Sequence, residues 1–163
     1  MKKLILIAAA VLGFAAAVSA QPRSVGIRGG YGGGVTFQNY MFNSSNSFLE
    51  AYVGVDAVGD GGFMSTLTYN WPIARPTWGR TGDWTWYLGP GVAFGYVYNN
   101  SNDDKAEFMT AILLEVQLEW LVSTHFAMSA DIKPMFGYHF GDGAFYDGGL
   151  YGLIPSLGIK YVF

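Results

Sequence analysis

Cysteine is absent from all 163 residues, and charge is scarce, at 13% of the chain. Without Cys there is no disulfide framework, thiol nucleophile, thiolate metal site or lipid-modified N-terminal cysteine. The two histidines, His125 and His139, and scattered carboxylates make no metal-ligand spacing, so neither metal nor cofactor is expected. Nine basic residues form no clustered face, which excludes nucleic acid as a partner. Beyond the N-terminal segment, no apolar run reaches the eighteen or more residues that mark a helical membrane span. Few charges with 17% aromatic residues also exclude a disordered chain.

The chain opens with an address. Lys2 and Lys3 precede an apolar or small-residue run from Leu4 to Val18, and Val18-Ser19-Ala20 supplies the small side chains of a cleavage site. Residues 1–20 read as a secretory signal peptide cut before Gln21, leaving 21–163 as the single mature domain. The apolar run, about fifteen residues, falls short of the roughly 20 needed to span a bilayer. Cleavage removes two of nine basic residues, so seven face twelve acidic ones and the net charge becomes −5.

A two-residue period runs through the remainder. Trp84, Trp86, Leu88, Pro90, Val92, Phe94, Tyr96 and Tyr98 alternate with Thr85, Tyr87, Gly89, Gly91, Ala93 and Gly95. Phe108, Ile112, Leu114, Val116, Leu118 and Trp120 alternate with Glu107, Met109, Ala111, Leu113, Glu115, Gln117 and Glu119. Ala, Leu and Glu would also suit a helix over 106–120, but carboxylates confined to odd positions fit a strand better. The runs are long, where strands of soluble proteins usually have about five or six residues. Their polar face is small and sparsely charged while the apolar face is broad. That combination predicts an all-β, antiparallel, up-and-down transmembrane β-barrel, greasy outside and polar within.

Seven alternating segments are visible: 24–40, 47–58, 62–73, 84–98, 106–120, 125–140 and 149–163. A single-chain exported barrel has an even strand number. The Gly29–Gly34 cluster splits the first segment into 24–29 and 34–40, making eight strands. Tracing back from a periplasmic Phe163 makes 41–46, 74–83 and 121–124 periplasmic turns, and 59–61, 99–105 and 141–148 outer loops. Trp71, Trp78, Trp84, Trp86 and Trp120 then gather at the periplasmic end, and Tyr96, Tyr98, Tyr138, Phe140 and Tyr151 at the other, as two aromatic girdles.

By the same parity the lumen holds Arg28, Glu50, Asp56, Glu107, Glu115, Glu119, Asp131, Lys133 and Lys160. Glu115, Asp131 and Lys133 fall within cross-strand or diagonal reach at mid-height. Two readings use these residues: a polar plug that holds the register, or a narrow ion path lined by excess carboxylates. Catalysis would need a nucleophile beside His139 and Asp142, yet Ser101 lies in another loop, Ser129 about ten residues deeper, and His125 at the opposite rim. Asn102-Asp103-Asp104 reads as a solvated tip, and Ala144-Phe145-Tyr146 as an aromatic loop at the girdle or against lipopolysaccharide.

The C-terminal run, with Leu157, Ile159, Tyr161 and a final Phe163 alternating, resembles the β-signal of Gram-negative outer-membrane barrels. The stretches GIRGGYGGGVTFQN, FLEAYVGVD, WYLGPGVAFGY, LLEVQLEW, FAMSADIKP and SLGIKYVF make the mature chain similar to the small eight-stranded OmpX/OmpA-like barrel group. The resemblance implies a bacterial outer-membrane location and recognition by the barrel-assembly machinery. It also implies a monomer whose standing partners are outer-membrane lipid and lipopolysaccharide. The role expected is structural or surface-interacting and non-enzymatic, with the narrow pore as the alternative.

Overall fold

The computed structural model describes residues 22–30, 32–40, 47–56, 62–79, 82–98, 106–140, 145–146 and 155–163. Their strands are β1 (Pro22–Gly29), β2 (Gly32–Tyr40), β3 (Phe48–Asp56), β4 (Gly62–Ala74) and β5 (Asp83–Tyr98), followed by β6 (Ala106–Ser123), β7 (Phe126–Ile132), β8 (Met135–His139), β9 (Phe145–Tyr146) and β10 (Ser156–Val162). The order β5-β4-β3-β2-β1-β10-β7-β6 is closed by a β5–β6 pairing, and every pairing is antiparallel. The ring has eight members. Among the described residues each of the eight members is paired on both sides, so the paired backbone groups of the wall satisfy one another.

β8 is the upper half of β7. Both pair with β6 in a single register, Val116↔Ile132 and Leu113↔Met135. The break at Lys133-Pro134 has a local cause, since proline has no N–H to donate. Its carbonyl still accepts a bond from Leu114 N at 3.1 Å. Residues 125–140 therefore form one interrupted strand instead of the continuous one expected. Phe145 and Tyr146, expected within an outer loop, instead pair with Tyr138 and Gly137 as β9. They cover the edge that β8 would otherwise expose. At the other end β6 runs on to Ser123, which shortens the expected turn to Thr124-His125.

Register around the ring sets the tilt. From Arg28, pairing through Gly158 and Ser129 leads to Glu119 on β6. Pairing the other way, through Gly34, Gly54, Met64 and Gly95, leads to Met109. The two arrivals differ by 119 − 109 = 10 residues, the stagger of a barrel whose strands lean at roughly 35–45°.

Alternate residues face outward as the periodicity predicts. Ile27, Ile112 and Leu157 are 66%, 66% and 67% exposed, whereas Glu50, Glu115 and Gln117 are fully buried. The interior is narrow, and glycine makes room in it. Arg28 lies opposite Gly34 and Gly158, Lys160 opposite Gly26, and Glu115 opposite Gly89. A Cβ on Gly26 would press on the Ile159 carbonyl and on Lys160 Cα, the latter at 2.9 Å. Each long charged side chain thus occupies volume that its cross-strand neighbour vacates.

Candidate functional site

The stagger brings side chains from all eight lanes of the wall into one ionic belt. Its upper centre is Arg28. The guanidinium Nη1 is 2.7 Å from Glu50 Oε1 and 3.5 Å from Glu115 Oε1, and Nε is 3.1 Å from Asp131 Oδ2. Nη2 donates to Gln117 Oε1 at 3.2 Å. Lys133 Nζ bridges the same two glutamates, 3.2 Å from each. Thr68 Oγ1 and Asn70 Nδ2 donate to Glu115 at 2.6 and 3.0 Å, and Ser156 Oγ donates to Asp131 at 2.8 Å.

Glu119 is the lower centre. It accepts from Lys160 Nζ at 2.9 Å and pairs closely with Arg23. Arg23 also donates to Tyr87 Oη at 3.0 Å, and its guanidinium carbon lies 4.2 Å from the centre of the Phe48 ring. Gln38 joins the two centres: it accepts from Arg23 and Ser24 and donates to Glu50 Oε2 at 2.6 Å. Charges buried this deeply are tolerable only when paired and hydrogen-bonded, and these are.

The belt therefore assembles Arg28, Glu50, Glu115, Glu119, Asp131, Lys133 and Lys160 from the sequence-derived set. Asp131 meets Lys133 only through Arg28 and the glutamates. Glu107 is half-buried toward the upper end, and Asp56 pairs by backbone with Gly62 while its side chain lies outside the described residues. Sequence reasoning missed Arg23. A register shift between Pro22 and Ser24 turns both Arg23 and Ser24 inward, which strict alternation forbids. The missing signal was stoichiometric, because three cations had been set against six carboxylates. With Arg23 the described belt holds four cations and four carboxylates and is itself neutral, and over the whole sequence-derived lumen set the expected excess shrinks to four cations against six carboxylates.

Above the belt the interior turns apolar, with Met64, Ala93, Met109, Ala111, Leu113 and Met135 in one cluster. A recess of about 30 Å³ lies beside it, lined by Tyr52, Thr66, Arg28, Asp131 and Lys133 among others. That is room for about a water or two.

Outside, the two aromatic sets are in ring contact. At the lower end Trp84 stacks on Trp120 at 5.1 Å and 3°, Trp78 meets Trp84 and Trp86, and Tyr69 meets Trp71. At the upper end Tyr96 meets Phe108, and Phe140 meets both Phe108 and Tyr138. Leu157, Ile159, Tyr161 and Phe163 all point outward along and just beyond β10. His125 is exposed at the lower end beside Thr124. The segments carrying Ser101, Asn102 to Asp104, Asp142, Ala144 and Tyr151, the side chains of Tyr98, His139, Phe145 and Tyr146, and residues 1–20 lie outside the described residues. Among the described residues no group of three or more His, Asp or Glu could hold a metal ion.

The closed ring of eight strands around a filled polar interior defines a small eight-stranded antiparallel barrel. Compared with known protein families and with curated proteins, the chain matches none. Among solved structures it is similar to the crystal structure of the N-terminal β-barrel domain of Pseudomonas aeruginosa OprF. The TM-score is 0.61 at 18% sequence identity, covering 88% of this chain and 100% of that one. At that identity the likeness is one of fold.

Proposed function

We propose that this chain is a small integral barrel of the bacterial outer membrane, exported by its N-terminal segment and monomeric, with a structural or surface-interacting role and no catalytic one. The observation that carries the reading is the pairing of an apolar exterior with an interior closed by a neutral ionic belt. An exterior whose exposed residues include Ile27, Val35, Val92, Ile112 and Leu157 suits hydrocarbon. Eight strands leave a lumen that side chains can just fill, and here they fill it with mutually satisfied charge. Lipid and lipopolysaccharide are the surroundings such an exterior fits. The outward row ending in Phe163 is the segment that the barrel-assembly machinery would read.

Conductance decides between this reading and the narrow pore. Purified protein reconstituted in planar bilayers is expected to give no sustained openings. Reproducible steps of fixed size, abolished by denaturing the protein, would overturn the plugged-barrel reading in favour of transport.

A further inference from the structure

The wall of the barrel is uneven in height. β5 and β6 have 16 and 18 residues, whereas β1 and β2, joined as a hairpin, have 8 and 9. At roughly 3.3 Å per residue and a tilt near 40°, each residue climbs about 2.5 Å along the axis. β6 then stands about 45 Å tall and β1 about 20 Å. The register says where the difference falls. A ten-residue stagger shared over eight lateral steps makes each step worth about 3 Å of height. On that scale the lower ends of β1 and β6 agree to within about 5 Å, but the top of the β1–β2 hairpin sits about 15 Å below the top of β6. The hairpin ends there: Gly30 N already donates to Gly32 O at 2.9 Å.

The outward chemistry follows the same division. On the tall wall, Phe108 and Trp120 belong to opposite aromatic clusters, twelve residues apart on β6. That is about 30 Å, the thickness of a bilayer's hydrocarbon core. On the low wall, exposed Val25, Ile27, Val35, Leu157 and Ile159 carry the apolar face. Its described upper edge is Gly29, Gly30, Gly32 and Gly33. A bilayer of uniform thickness would bury the turn of that hairpin in oil, where unpaired peptide groups are costly.

The geometry points to an interaction surface for thinned lipid. Along β1, β2 and the adjoining face of β3, where Val55 pairs with Gly33 at the top of the hairpin, the barrel holds a strip of bilayer whose hydrocarbon is about 10 Å shallower than the layer facing β5 and β6. The occupant is lipid acyl chain, shortened or disordered to match. The inference rests on the membrane reading above and adds to it a sidedness around the barrel's circumference.

The absence of native cysteine makes the test direct. Val55 on β3 and Ile112 on β6 both point outward, 58% and 66% exposed. By the register they lie within about 1 Å of the same height. Val55→Cys and Ile112→Cys, each carrying an environment-sensitive fluorophore, are folded into dioleoylphosphatidylcholine vesicles and challenged with an aqueous quencher. The Val55 site is expected to quench at least threefold faster than the Ile112 site. Equal quenching would overturn the inference while leaving the membrane reading intact. A third label at Leu49→Cys, lower on β3, detects whole-barrel tilt: it should keep its depth, and a shift toward the midplane would overturn the thinned strip. Should the Ile112 label quench as fast as free dye, the membrane reading itself fails and this inference falls with it.

Discussion

Replacing Arg28 by methionine removes the contact that joins most of the belt. Its guanidinium touches Glu50, Glu115 and Asp131 within 3.5 Å. Without it, Asp131 keeps only the Ser156 hydroxyl among its described partners, and the two glutamates share Lys133, with Lys160 Nζ also 3.9 Å from Glu50 Oε2. All of these side chains are nearly or wholly buried, so solvent screens little of the loss. Removing one member of a buried ion pair typically costs about 3–5 kcal/mol, because the other charge is left unpaired. The folding equilibrium should fall by roughly a hundredfold to several thousandfold. Urea titration of the vesicle-inserted protein, followed by tryptophan emission and by heat-modifiability on gels, reads the change. Adding Asp131→Asn should restore part of the loss, with a coupling of about 0.5–3 kcal/mol. A single variant within about 1 kcal/mol of the parent, with a purely additive double variant, would refute the claim that the belt holds the barrel together.

Two further outcomes follow from the packing. Gly26→Val places a branched side chain against the Ile159 carbonyl and Lys160 at the β1–β10 seam, and should destabilise the barrel by about 1–3 kcal/mol in the same titration. The outward-facing Val25→Ala should cost less, and the reverse order would show that interior space at the seam does not matter. The parallel Trp84–Trp120 stack should give a coupling of about 0.5–1.5 kcal/mol in a double-mutant cycle to alanine. No measurable coupling would mean that the rings are merely adjacent.

Strand alternation was readable because a two-residue period encodes which way each side chain points, and closure to eight lanes followed from parity and the glycine cluster before β2. Harder to read was which charges meet. Glu50 and Lys133 are 83 positions apart, and only the ten-residue stagger brings them to 3.2 Å. Arg23 was hidden by a bulge, a backbone event that leaves no mark in the hydrophobic pattern. The apolar upper lumen was equally hidden: Met109, Ala111 and Leu113 share a face with Glu115 and Glu119, so periodicity treats them alike. Pro134 was visible as a residue that cannot donate, yet its neighbours hold register across it.

The equality of positive and negative groups in the described belt bears on how the protein responds to voltage. Carrying one elementary charge through 100 mV is worth about 2.3 kcal/mol. A block of four cations and four carboxylates that shifts as a unit carries no net charge through the field, so a potential of either sign gains nothing by pushing it. Only prying opposite charges apart would couple to the field, and that motion is opposed by the short contacts that hold them. The described belt is electrically indifferent.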